Sequence, residues 1–273
     1  MRPGEHSKAR REPQVGAAAA LLAVCLSGAV LAAPADEPPF DATADTVFDI
    51  IRSSDETQFL CLSDAGRAVR QMWDKRIDGE SDLDVFLFTA HFRDGPPIDI
   101  ILNPEFGTPE AARTEAERYT HALGQLLPVF RQGLRQLGIH KGNKSFHGGA
   151  GKIFLYSETV DLRISQDHLE ESLLHEAVHA SLDAPYGDSQ AWRDAQAADG
   201  AFVTRYAASS PEREDLAESA LFAYGLLRHP GRIPPVDSAV IARQIPARIA
   251  VIAEILNAAP DLPAPPPPPA DCR

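Results

Sequence analysis

Leu173-Leu174-His175-Glu176-Ala177-Val178-His179-Ala180-Ser181-Leu182 is a run with no Pro or Gly, and an H-E-x-x-H lies at its centre. Apolar residues recur through it at helical spacing, so the stretch reads as a buried helix. On a helix, positions i and i+4 share a face, which lets the imidazoles of His175 and His179 reach one tetrahedral zinc ion. Glu176 stands beside the first of them, where a carboxylate can hold water and take its proton. A buried helix carrying two metal ligands needs a scaffold around it, and the rest of the chain is read outward from that requirement.

Upstream, the sequence is richer in strand signals. Leu83 to Phe92 is dense in β-branched and aromatic residues, Arg93-Asp94-Gly95-Pro96 is a turn cluster, and Ile98 to Leu102 is apolar again, which predicts a hairpin. Lys152 to Tyr156 predicts a further short strand, taken as the edge strand that would hold a peptide. Gly148-Gly149-Ala150-Gly151 before it reads as a loop. It precedes a strand and lacks the Walker Lys-Ser/Thr order, so nucleotide binding is rejected. Thr43 to Leu62 is read as a helix followed by a short strand, and Gly66 to Trp73 as helical. Thr108-Pro109-Glu110 is a capped helix start leading to about Leu127, with Pro128 marking a new start toward Leu137.

Asp167 is expected to cap the motif helix. Further helices are expected near Ser189–Tyr206, Pro211–Leu227 and Ala239–Asn257. Strands early and helices late define an α+β fold: a small N-terminal sheet with a hairpin, then a mainly helical half carrying the motif. One catalytic unit is expected over residues 40–258, followed by a Pro-rich tail over 259–273.

The termini and overall charge bound the setting. Lys8, Arg10 and Arg11 precede an apolar run from Val15 to Ala33, with a small-residue cleavage site ending at Ala32. Residues 1–32 therefore read as a secretory signal peptide, the alternative being an uncleaved N-terminal anchor. No later stretch approaches about 20 unbroken apolar residues, so no stable span is expected in the mature chain, which is placed in the periplasm or outside the cell. Beyond this segment the chain has two cysteines, Cys61 and Cys272, expected to be bridged in an exported protein. The net charge of −13 argues against nucleic acid or an anionic membrane as partner. The partner expected from the H-E-x-x-H motif is a peptide or protein substrate.

H-E-x-x-H gives two ligands, and a catalytic zinc needs a third. Ala180 to Gly187 contains no His. Asp183 lies a further turn along the helix, about 6 Å from His179 along the axis, and suits a supporting role better than ligation. Glu214 and Glu218 share one helix face, so spacing alone does not separate them. An acidic first turn of any solvated helix would look the same. His140 and His147 flank the glycine-rich stretch and are weaker candidates for the cleft.

Tyr206-Ala207-Ala208-Ser209-Ser210-Pro211, followed by Glu214-Asp215-Leu216-Ala217-Glu218, resembles the Tyr … Glu-x-x-Ala-Glu segment of gluzincin metallopeptidases, the group of anthrax lethal factor and the clostridial Pro-Pro endopeptidases. The likeness covers residues 165–225. Asn103-Pro104-Glu105-Phe106-Gly107 and Ile139-His140-Lys141-Gly142 are also similar to exported bacterial proteins of unknown function carrying the same motif. The resemblance implies one zinc ion held by His175, His179 and Glu214, with Glu218 as support and Tyr206 donating a hydrogen bond to the oxyanion. It implies an endopeptidase with Glu176 as general base. The competing expectations are a non-catalytic zinc protein and an interaction module acting through its Pro-rich tail.

Overall fold

The computed structural model describes residues 37–258, 265–270 and 272; the segment read as a signal peptide, residues 1–32, lies outside them. A short 3₁₀ turn, Thr43–Asp45, opens the described chain. Three strands follow: β1 (Phe59–Asp74), β2 (Gly79–Phe92) and β3 (Ile98–Leu102). Next come α1 (Pro109–Gln125), α2 (Pro128–Arg131), β4 (Gln136–His140), β5 (His147–Gly149) and β6 (Lys152–Tyr156). The remainder is helical: α3 (Ser157–Ser165), α4 (Leu169–Ser181), α5 (Gln190–Asp199), α6 (Arg205–Ser209), α7 (Asp215–Arg228), α8 (Pro235–Gln244) and α9 (Pro246–Asn257). A π-turn, Asp183–Gly187, follows α4. The fold is α+β, with a six-stranded mixed sheet ahead of the helical half.

The strands lie in the order β1-β2-β3-β4-β6-β5. The hairpin expected from the turn at Arg93–Pro96 is present, with Ala90 opposite Ile98. A second, longer hairpin replaces the helix expected at Gly66–Trp73, because that stretch pairs with β2 from Arg67 to Asp74. Burial there alternates along the chain toward Met72 and Asp74, a period of two that an exposed hairpin shows only weakly in sequence. Gly66 (φ +78°) accompanies a register shift between Asp64 and Arg67, a bulge where a side chain would be strained. The segment toward Leu137 is also corrected, since Gln136–His140 forms β4, parallel to β3 and β6. The segment after Asp45 is irregular up to β1, where a helix was expected.

Lys152–Tyr156 is a strand, yet not at the edge. It lies between β4 and β5, and the edge belongs to β5. Gly148 explains why β5 sits there: a Cβ on it would fall 2.3 Å from the backbone oxygen of Glu176, so the strand lies directly against the motif helix.

One face of the sheet, through Ile100, Leu102, Ile139, Ile153 and Leu155, forms a core with Leu173, Leu174, Ala177 and Val178 of α4. Those four helix residues are fully buried. The opposite face carries a smaller cluster of Met72, Val85, Leu87, Ile101 and Phe154. Asp167 does not cap α4. It adopts a left-handed φ of +49°, and His168, the residue at the cap position, makes no side-chain capping bond. A cap contributes about 1 kcal/mol, whereas each buried leucine contributes roughly 1.5–3 kcal/mol. Packing therefore holds this helix.

Cys61 and Cys272 stand at disulfide distance, with Cα atoms 5.4 Å apart. His91 is in the same cluster, but two sulfurs at bonding distance offer no thiolate pair to a metal. The pair closes a separation of 211 residues, nominally worth about 5 kcal/mol in the loop-entropy account. Alkylation under denaturing, non-reducing conditions should find both sulfurs blocked in protein taken from an oxidising compartment. Two free thiols would contradict the bridge.

Candidate metal centre

Helix α4 presents His175 and His179 on one face, and Glu214 arrives from the residue immediately before α7. Their donor atoms form a nearly equilateral triangle. His179 Nε2 is 3.2 Å from His175 Nε2 and 3.2 Å from Glu214 Oε2, and His175 Nε2 is 3.5 Å from the same oxygen. Bonds of 2.0–2.1 Å to a tetrahedral ion require donor separations of about 3.3 Å. The triangle has the size of one face of a zinc coordination sphere.

The second nitrogen of each imidazole is committed elsewhere. His179 Nδ1 donates to Asp183 Oδ2 at 2.8 Å. His175 Nδ1 lies 3.3 Å from Glu218 Oε1 and 3.4 Å from Thr43 Oγ1. A carboxylate only accepts, so both Nδ1 atoms carry protons, and with both rings neutral the two Nε2 lone pairs would face each other. That contact needs a proton or a metal ion between them, and the donor set of two imidazoles and a carboxylate suits zinc. Glu218 is itself fixed, accepting from Thr43 N at 2.8 Å and from Thr43 Oγ1 at 2.7 Å.

The charges are mutually adjusted. Burial works to raise Glu214, yet its hydrogen bonds to His175 and His179 hold it well below the usual carboxylate range. Burial works to lower His179, but hydrogen bonds to Asp183 and Glu214 lift it to about 10. Burial raises the carboxyl of Glu176, opposed by His175, His179 and Lys75. Glu176 is 9% exposed and its carboxylate makes no hydrogen bond with the described residues. It lines a cavity of about 300 Å³ together with His175, Tyr206 and Glu218. Tyr206, 43% exposed, has its hydroxyl pushed up to about 12 by partial burial and by Glu214.

A metal-free His179 is therefore protonated at pH 7, and zinc must displace that proton. Zinc loading is expected to release protons at neutral pH and to weaken as acid competes for the imidazoles. Calorimetric titrations in buffers of different ionisation enthalpy should give different apparent heats. Identical heats would exclude a protonated cluster.

The structure thus brings together every residue the sequence singled out around zinc: His175, His179 and Glu214 at the triangle, Asp183 and Glu218 behind the imidazoles, Glu176 and Tyr206 along the cavity. His140 is elsewhere, fully buried and bonded to Asn103 Nδ2 and to the backbone oxygen of Trp73. His147 lies on β5, stacked on Phe154 and pushed down to about 4 by burial.

Three contributors escaped the sequence reading. Thr43 orients Glu218, as above. Glu171 is fully buried and accepts from Ile50 N at 2.6 Å and Ile51 N at 2.7 Å, bracing the N-terminal segment on α4; burial pushes its carboxyl up to about 8. Lys75 enters the same cavity from the β1–β2 turn. The acid at Glu171 shares a helix face with His175, a signal that was available; Thr43 and Lys75 carried none.

Comparison with known protein families, with curated proteins and with solved structures gives no match to this chain.

Proposed function

We propose that the chain is an exported zinc-dependent hydrolase, an endopeptidase of gluzincin type. The observation that carries this reading is the metal-sized triangle of His175, His179 and Glu214 beside a buried carboxylate, Glu176, that is spent on no structural bond. A purely structural metal site has no use for such a group, because a buried, unpartnered carboxylate costs stability. The Cys61–Cys272 pair supports export.

Bound to the triangle, zinc would supply Lewis acidity toward a carbonyl and toward water. The protein's own residues do the rest. Glu218 and Asp183 hold the Nδ1–H tautomers, so both Nε2 lone pairs face the metal position. Glu176 accepts the proton of the attacking water and passes it to the leaving amine, a role that burial favours by raising its basicity. Tyr206 donates its hydroxyl proton in a hydrogen bond to the carbonyl oxygen as negative charge develops.

The test combines metal analysis with a mixed peptide library. One equivalent of zinc and cleavage of library members, abolished by chelation and restored by zinc, are expected. A zinc-loaded protein that cleaves no peptide under any condition would leave the non-catalytic alternative.

A further inference from the structure

The tip of the β1–β2 hairpin is locked. Asp74 accepts from the backbone nitrogen of Arg76 at 2.8 Å and from its guanidinium at 2.7–2.9 Å. Arg76 continues to Glu105 at 2.8 Å and to the backbone oxygen of Lys141 at 3.0 Å. The backbone nitrogen of Lys75, between them, donates to the Tyr156 hydroxyl at 2.6 Å. Asp74 is held at about 2, because Arg76 outweighs burial. Such a network fixes the backbone from which the Lys75 side chain leaves.

That side chain enters the cavity beside the metal triangle. Its ammonium donates to Ser145 Oγ at 2.8 Å and to the backbone oxygen of Phe146 at 2.9 Å. An ammonium has three protons to donate, so one is uncommitted. None of the described carboxylates is within ion-pair distance of it; the group is half-buried and burial lowers its pKa, opposed at longer range by Glu176 and Glu214. A half-buried cation with no carboxylate in contact costs stability unless something else brings the anion.

The other charges on the cavity wall narrow what that anion is. Glu218 is occupied by Thr43, and Glu171 Oε1 by Ile50 and Ile51, while Glu171 Oε2 is buried without a hydrogen-bond partner. Arg163, on α3, lines the same cavity and donates only to Ala44 O and Gln166 Oε1. With Glu176 reserved for proton transfer and burial favouring the neutral form of Glu171, the charges left without an ion partner are the two cations.

We propose that this cavity binds a carboxylate of the substrate, and that Lys75 is the residue determining that specificity. The substrate class is then a peptide presenting a carboxylate next to the cleaved bond, either the α-carboxylate of its last residue or an Asp or Glu side chain. The inference rests on reading the neighbouring cluster as a hydrolytic centre, but it is tested by binding, without turnover.

The mature chain carrying Glu176→Gln is loaded with zinc and titrated calorimetrically with three probes: acetyl-Ala-Ala, acetyl-Ala-Ala-amide and acetyl-Ala-Glu-amide. At least one carboxylate probe should bind about tenfold or more tighter than the neutral amide, the range of a hydrogen bond to a charged group. Which of the two leads identifies the source of the carboxylate. Adding Lys75→Met or Lys75→Gln should erase the difference, while Lys75→Arg should keep most of it. Gln retains donors without the charge, so a strut between the hairpin and Phe146 would survive that change. Three equal affinities would overturn the proposal. So would a carboxylate advantage that persists in both neutral variants, since the metal or Arg163 would then be the anion's partner. Discriminating probes together with a native chain that cleaves no peptide would overturn the hydrolase reading and uphold this one.

Discussion

Glu176→Gln should leave zinc in place and lower peptide turnover by at least about 100-fold, the contribution typical of a positioned general base. The substitution is isosteric, and Glu176 contributes no atom to the triangle of His175, His179 and Glu214. Its carboxylate also makes no hydrogen bond with the described residues, so folding stability should change little. Steady-state kinetics on a substrate the native chain cleaves, with metal content measured on the same samples, gives both readouts. Equal rates in the two proteins would remove Glu176 from the chemistry. A variant that loses zinc as well would mean the carboxylate holds the metal, and the donor set would need to be redrawn.

The second large effect separates two glutamates that sequence spacing left equivalent. Glu214→Ala removes a corner of the triangle and should weaken zinc by more than about 100-fold, exceeding what an outer partner contributes. Glu218→Ala should cost about 10- to 100-fold, because it frees His175 Nδ1 from its orienting carboxylate without removing a donor. It also strands the backbone N–H of Thr43, which now donates to Glu218 at 2.8 Å. A buried donor left unsatisfied costs about 1–3 kcal/mol, so Glu218→Ala should lower thermal stability even in metal-free protein. Competition with a chromogenic chelator measures the affinities. A larger zinc loss in Glu218→Ala than in Glu214→Ala would reverse the assignment.

What was legible in the sequence was local. The i, i+4 pair of His175 and His179 follows from helical geometry, and Glu214 lies only 35 residues beyond His179 on a neighbouring helical segment. The hairpin around Arg93–Pro96 announced itself through its turn residues and apolar flanks. The β1–β2 hairpin did not, because much of β1 faces solvent and its burial alternation is shallow. Nor did β5, a three-residue edge strand built on glycines that no propensity favours. Lys75 was illegible for another reason: one lysine in a polar turn looks solvated until the sheet carries that turn to the cavity.

Thr43 reaches across 175 residues to grip Glu218, and Glu218 in turn steadies His175. During synthesis the H-E-x-x-H helix therefore emerges well before the groups that complete its centre, while Thr43 waits for a partner near the other end of the chain. Neither a nascent chain nor a fragment ending before Glu214 has the whole set of donors. Assembly of the donor set is thus scheduled by topology, complete only once the segment carrying Glu214 and Glu218 has been made and has met Thr43.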